Sequence, residues 1–301
     1  MSARLNLSRR TLCLTASALA LTACGRKAAA PAPQAASSAP PSDEAQANSI
    51  AWAVAGDWRS KADKARDTWR HPAETLTFWG LAPGQTVVEF WPGAGWYTQI
   101  LAPYLQANGG KLYAAQFQVD PVARPAEAQL VAAYAKQLQA MPQVYGQPQI
   151  TAFGPTSGPV APAGTADLVV FARVVGCWMS AGVAEKAFKD AYAALKPGGV
   201  LGVEENRGAP GGVQDVLATD GYVQDVYLKR LAQEAGFTLA ASSEINANAK
   251  DTRSYPFGVW TLPPWRQSAP KGKPDDPKFD HAKYDAIGES DRMTLRFVKP
   301  K

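Results

Sequence analysis

Glu89-Phe90-Trp91-Pro92-Gly93-Ala94-Gly95 sets a carboxylate four residues ahead of the first of two glycines. Without a Cβ, the main chain at Gly93 and Gly95 lets a ligand approach closely. The run before the loop, Thr86-Val87-Val88, is apolar and β-branched and reads as strand. The run after it, 98–105, puts Ile100, Leu101 and Leu105 on one helical face. A helix that begins at such a loop turns unpaired N–H groups toward whatever the loop holds. Strand, glycine loop and helix form the opening unit of a nucleotide-binding α/β sheet.

Other residues suited to chemistry lie farther along. Glu204-Glu205 close an apolar run at 200–205, on the edge where open α/β sheets bind ligands. Strand alternation turns one of them toward a cleft, where it could accept a proton. A solvated strand end is the competing reading. Arg173 ends another apolar run and suits a carboxylate or phosphate, or pairs with Glu204. His71, just before Pro72, is a candidate base or lid residue, or marks a helix start. Glu204, Glu205 and His71 are therefore the candidate catalytic residues, and no metal ligands are assigned. Cys177 sits among apolar neighbours and reads as a small buried hydrophobe rather than a nucleophile. Tyr255, Phe257, Trp260 and Trp265 could wall an aromatic pocket with Trp91, Trp96 and Tyr97, or pack a loop over the sheet. Asp291-Arg292 reads as a structural ion pair, and His281 as exposed.

These groups need a scaffold, and the pattern supplies one. Segment 52–79 is helix-like with a charged, solvated stretch at 57–67 and a break at His71-Pro72. Strands are expected at 111–117, 149–153, 166–172, 200–205, 237–242 and 293–298. The run at 166–172 is continuously apolar, as befits a strand buried on both faces. Helices are expected at 125–141, 184–195 and 224–235, the second stopped by Lys196-Pro197-Gly198-Gly199. A polar, Pro-rich insertion fills about 246–290. The alternation predicts an α/β fold: a Rossmann-like, doubly wound, mainly parallel seven-stranded sheet with helices on both faces and the last strand antiparallel.

The loop does not fit the G-x-G-x-x-G dinucleotide fingerprint. It resembles the glycine-rich motif of class I S-adenosylmethionine-dependent methyltransferases, with Glu89 as the acid and Gly93-Ala94-Gly95 as the loop. Trp91 stands where many members carry another glycine. The strand at 166–170, Leu195-Lys196-Pro197-Gly198-Gly199 and Ala235-Gly236-Phe237 follow in the family's order. The stretches at 92–98, 100–104, 243–248, 258–264 and 287–295 are similar to a subgroup of predicted bacterial methyltransferases, often exported. The resemblance covers about 52–301. It implies S-adenosylmethionine as cofactor, contacted by Glu89, Trp91, Gly93, Ala94, Gly95, Gln116, Phe117, Phe171, Ala172 and Arg173.

Two departures stand out. The family's ribose-binding acid is Gln116 here, whose amide still accepts one hydrogen bond and donates another. Asp120 could substitute if its loop bends back. The subgroup's two histidines read Gly176 and Asn206. DNA methylation is disfavoured: the place of the Asn/Asp-Pro-Pro-aromatic tetrapeptide reads Arg173-Val174-Val175-Gly176, and no Pro-Cys is present at Cys177.

The first 23 residues read as a leader. Ser8-Arg9-Arg10-Thr11-Leu12 is a twin-arginine start, 12–21 is an apolar stretch too short to span a bilayer, and Leu21-Thr22-Ala23-Cys24 resembles a lipobox. Cys24 is the expected lipidation site, and residues 24–48, rich in Ala, Pro and Ser, form a tether to a domain at 49–301. The leader takes Arg4, Arg9 and Arg10 from 31 basic residues set against 26 acidic ones, so the +5 charge falls to +2. That balance does not suggest nucleic acid. The expected location is the bacterial cell envelope, facing the periplasm at the outer membrane. The expected partner is a small-molecule or envelope-associated methyl acceptor. A non-catalytic periplasmic binding or scaffold lipoprotein on the same fold is the rival reading.

Overall fold

The computed structural model describes residues 46–301. The twin-arginine leader, Cys24 and most of the tether lie outside the described residues. Among the described residues, no helix is long and apolar enough to cross a membrane.

The chain begins with four short helices, α1 (Ile50–Ala55), α2 (Lys61–Lys64), α3 (Asp67–Arg70) and α4 (Pro72–Trp79). Ser60 caps α2 by accepting the Asp63 N–H, and Pro72 opens α4. The charged stretch at 57–67 is not a solvated face throughout. Arg59 is buried, with both terminal nitrogens on the Asp67 carboxylate at 2.7 Å and one also on the Val54 carbonyl.

Seven strands follow: β1 (Thr86–Phe90), β2 (Lys111–Phe117), β3 (Gln149–Phe153), β4 (Ala166–Ala172), β5 (Leu195–Asn206), β6 (Thr238–Ser243) and β7 (Arg292–Val298). They form one sheet in the order β3-β2-β1-β4-β5-β7-β6. β7 inserts between β5 and β6 and runs antiparallel to both; every other pairing is parallel. The winding direction reverses between β1 and β4, and a cleft opens at the carboxyl ends of strands at such a switch point. Glu89 and Arg173 both come from this place.

Period-two alternation divides the core. Val87, Leu168 and Val170 face one side, packed by α1, α4, α5 (Thr98–Ala107), α6 (Pro125–Ala140) and α7 (Pro142–Tyr145). Val88, Phe90, Val169 and Phe171 face the other, under α8 (Val175–Ser180), α9 (Ala184–Ala194) and α10 (Asp225–Glu234). The parallel central strands are buried on both faces, which explains their unbroken apolar runs.

Three features depart from the sequence pattern. β5 begins at Leu195, five residues early: Leu195 pairs with Ala166, and Pro197-Gly198-Gly199 bulge out before pairing resumes at Val200. α8 is too short for a periodicity to show. The segment at 246–290 contains a 3-10 turn (Gly258–Thr261) and α11 (Ala282–Asp285), and it packs over the carboxyl end of the sheet.

Gly202 of β5 serves packing. A Cβ there would lie 2.4 Å from the ring of fully buried Trp79, whose indole N–H donates to the Leu295 carbonyl at 3.1 Å. Gly202→Ala should therefore lower stability by about 1–3 kcal/mol through overpacking, read by urea unfolding. Trp79→Phe in the same background should recover part of the loss.

Candidate functional site

The glycine loop connects β1 to α5 through left-handed backbone at Trp91 (φ 43°), Gly93 (φ 59°) and Gly95 (φ 85°). For a tryptophan this conformation costs of order 1–3 kcal/mol, so its surroundings must hold it. They do: the Trp91 backbone N–H donates to the Ala115 carbonyl at 2.8 Å and its indole N–H to the Phe153 carbonyl at 2.9 Å. The ring packs on Phe117, Phe153 and Trp178. The two glycines differ. A Cβ on Gly95 would meet the Tyr134 ring at 3.0 Å, whereas one on Gly93 would meet nothing within 4 Å. Gly93 is the open part of the cradle, and exposed Ala94 stands beside it.

The groups around the cradle are engaged with it. Glu89 is buried and accepts the Thr98 hydroxyl proton at 2.6 Å; burial pushes its carboxyl up to about 7. Gln116 donates from its amide to the Gly93 carbonyl at 2.9 Å and accepts the Phe117 N–H at 3.1 Å. Both functions assigned to it for a ribose are thus turned onto the loop and its own strand. Phe171 is buried in the core against Phe90, Trp178 and Phe188, so its main chain alone belongs to the strand edge. Ala172 follows, half-buried.

Glu204 and Glu205 are not solvated. Glu204 is fully buried, binds Arg292 Nη1 at 2.6 Å and accepts the Tyr97 hydroxyl at 2.9 Å. Arg292 also reaches Glu289 at 3.1 Å and donates to the Trp69 carbonyl at 2.8 Å. Glu289 takes Arg70 Nε on both oxygens, at 2.8 and 3.0 Å. Arg173 pairs with Glu289 at 3.7 Å rather than with Glu204, whose carbonyl accepts its backbone N–H. The cluster therefore holds three guanidinium groups against two carboxylates. Both terminal nitrogens of Arg70 and Nε of Arg173 are buried without a hydrogen-bond partner. Arg70 lies over the Trp96 ring at 4.7 Å, directly beyond Gly95.

Asp291 and Arg292 do not pair with each other. Strand alternation sends Arg292 into the cluster and Asp291 to the other face, where it meets Arg207 and Arg253. His71 adopts a left-handed conformation (φ 38°) between α3 and α4, with Nδ1 3.2 Å from the Asn246 amide oxygen. It stands at the start of α4, and its side chain makes no cap hydrogen bond.

A cavity of ≈ 110 Å³ opens at the carboxyl ends of β4 and β5, lined by Arg173, Cys177, Glu205, Asn206, Trp260 and Trp265 among others. Glu205 accepts the Val175 N–H at 2.7 Å and the Asn206 N–H at 2.8 Å, and burial raises its carboxyl to about 7. Cys177 is exposed beside it, not buried as its apolar neighbours imply. Desolvation by the cleft walls and the Glu205 charge push its thiol up to about 11, which makes it a poor nucleophile. The aromatic residues do not form one wall. Trp260 and Trp265 line this cleft, Trp91 fills the far side of the loop, and Trp96 stacks among Arg59, Arg66 and Arg70. Tyr255 donates to Asp251, and Phe257 packs on Phe279.

Arg70, Glu289 and the role of Tyr97 are not deducible from sequence. Arg70 and Glu289 lie 219 residues apart, so no local spacing signals their contact.

Neither a protein-family model nor a curated protein matches the sequence. Solved structures do. The chain is similar to the [4+2]-cyclase SpnF, at 15% identity and TM-score 0.50, over 83% of this chain and 91% of that one. It is also similar to a phosphoethanolamine N-methyltransferase 2 of Haemonchus contortus, solved with phosphomonomethylethanolamine and S-adenosylhomocysteine. That match has 14% identity and TM-score 0.50, over 77% of this chain and 53% of that one. A SAM-dependent methyltransferase of Aquifex aeolicus matches at 17% identity and TM-score 0.48, over 60% and 87%. The fold is thus the Rossmann-like one of the first two, which serves a cyclase as well as a methyltransferase.

The burial has two measurable consequences. Arg292→Met leaves Glu204 without its cation and should cost roughly 3–5 kcal/mol in chemical unfolding. Glu89 and Glu205 hold protons in the folded chain between their ordinary value of 4.5 and about 7, where the unfolded chain has released them. Stability should therefore fall as pH rises through that window, by up to roughly 3 kcal/mol per group, and level off above it. Glu89→Gln with Glu205→Gln should flatten the urea midpoint between pH 5 and 7.

Proposed function

We propose that this chain is an S-adenosylmethionine-dependent methyltransferase held at the bacterial cell envelope by lipid on Cys24. Its acceptor is a small or envelope-associated molecule on the periplasmic side, and nucleic acid is not a substrate. The observation that carries the reading is the Gly93–Gly95 loop at the sheet's switch point, with open space at Gly93.

The residues present fit such a cofactor. Gly93 and the start of α5 offer backbone to such a cofactor. The cofactor supplies an activated methyl group on a sulfonium. What remains for the chain is to align an acceptor and to remove a proton where the nucleophile carries one. Glu205 suits proton removal, since it lines the cleft and a carboxyl near 7 exchanges protons at physiological pH. Glu204 is committed to Arg292 and Tyr97, so its role is structural. His71 lies with Nδ1 beside the Asn246 amide oxygen at the start of α4.

The engagement of Gln116 favours the rival reading of a non-catalytic binding or scaffold lipoprotein, because Gln116 stands in place of the ribose-binding acid and Asp120 turns Oδ1 onto the Val122 and Ala123 N–H groups of its own turn. Calorimetry of the full chain separates the two. S-adenosylhomocysteine should bind one to one, and Gly93→Val should weaken it at least tenfold. Gly93 is the better site for this than Gly95, whose substitution would also push Tyr134. Absence of binding removes the methyltransferase reading. Methyl transfer to an acceptor should rise with pH through about 7 and be lost in Glu205→Gln; binding with no turnover favours the scaffold.

A further inference from the structure

We propose that the cleft at the ends of β4 and β5 receives an acceptor bearing a carboxylate or phosphate, and that Arg173 is the residue that reads this anion. That the bound molecule is a methyl acceptor rests on the methyltransferase reading; the anion site itself does not.

Arg173 is under-neutralised. Its ion partner is Glu289 Oε2 at 3.7 Å, beyond hydrogen-bond reach. That oxygen already receives Arg70 Nε at 2.8 Å and Arg292 Nη2 at 3.1 Å. Arg173 Nε is buried without a partner, while about a quarter of the side chain (24%) stays accessible. The planar guanidinium fork matches a carboxylate or phosphate, and such an anion would supply the missing acceptor.

The conformation points the same way. Arg173 is a non-glycine residue at φ 57°, fixed by its N–H on the Glu204 carbonyl at 2.7 Å. Backbone strain of this kind persists where the surroundings over-determine it, and here it sets an arginine at the mouth of a cleft.

The other groups do not cancel the charge. Glu205 turns its oxygens to the Val175 and Asn206 N–H groups, and its carboxyl is raised, so it is partly protonated near neutrality. Asn206 gives its amide to the Gly221 carbonyl and accepts from Ser290. The Cys177 thiol stays neutral. Trp260, Pro263, Pro264 and Trp265 form an apolar wall, and Trp265 is largely exposed. The cavity of ≈ 110 Å³ is about four times the ~30 Å³ share of a liquid water, room for one small anionic group with its body against the tryptophan.

The test titrates the full chain with benzoate, phenyl phosphate and neutral benzamide, with S-adenosylhomocysteine measured separately. Benzoate or phenyl phosphate should bind and benzamide should not; whichever binds more tightly identifies the anion. Arg173→Gln should weaken that anion at least tenfold, and by more than it weakens S-adenosylhomocysteine. Arg173→Lys, which keeps the charge and loses the fork, should fall between, and it carries the test if the glutamine variant does not fold. Equal binding of benzamide, or unchanged anion binding in both variants, overturns the proposal. A loss of S-adenosylhomocysteine affinity in Arg173→Gln as large as that of the anion also overturns it, because the guanidinium would then belong to the cofactor. Anion binding in a chain that does not bind S-adenosylhomocysteine overturns the methyltransferase reading and leaves the anion site standing.

Discussion

The buried charge cluster sets the geometry of this molecule's ligand-binding edge. Glu204 and Glu289 sit out of water, and isolated carboxylates there would be prohibitively unstable. They are tolerated because Arg70, Arg173 and Arg292 converge on them. Those five residues come from the end of α3, the ends of β4 and β5, and the approach to β7. Tyr97, through its hydroxyl on Glu204, adds the start of α5. An ion pair of this kind contributes little net stability over an apolar core of equal volume. Its effect is directional. Each charge must meet its partner at close range, so the segments that carry them cannot slide past one another.

The glycine loop shows a second constraint of the same kind. A tryptophan at position 91 cannot relax out of its left-handed conformation, because its backbone and indole N–H groups are both claimed by carbonyls of β2 and β3. Gln116 then draws the Gly93 carbonyl toward β2. The loop is held in shape by its neighbours before any ligand arrives, which lowers the ordering cost of binding. The same hydrogen bonds occupy the amide that would otherwise meet a ribose. Firm shape and fewer free donors are two results of one arrangement.

Much of the fold is legible in the sequence because strands buried on both faces leave a local signature. β2 and β4 run over the spans their apolar patterns predict, and the antiparallel last strand is where the α/β reading expects it. Sequence and structure part where local pattern and tertiary pairing diverge. Pro197-Gly198-Gly199 carries every mark of a chain break, yet a bulge lets β5 pair across it. Glu204-Glu205 looks like a wet strand end because neither Arg292 nor Tyr97, which bury Glu204, is near in sequence. Asp291 and Arg292 look like a pair because adjacent opposite charges suggest one, but adjacent residues of a strand face opposite ways. Cys177 reads as buried from its neighbours, yet Trp178 and Met179 turn inward on α8 while the thiol turns out. The cradle is visible in residues that stand in a row, whereas the charge network exists only in the fold.

That difference bears on how far fold likeness reaches. A [4+2]-cyclase and an N-methyltransferase share this architecture, so the sheet alone does not select a reaction. Selection falls to the side chains at the switch point. Here they leave unsatisfied arginine donors in one cluster, on Arg70 over the Trp96 ring and on Arg173 at the end of β4, with a carboxyl raised to about 7 lining the cleft beside Arg173. Burying a guanidinium nitrogen without an acceptor is costly, and an arrangement kept only for packing would sooner hold an apolar side chain there. Three guanidinium groups against two carboxylates leave a deficit of negative charge on the side of the sheet edge where a ligand would lie. The proposed anion would make up that deficit, drawing its binding free energy from a cost already present in the folded chain.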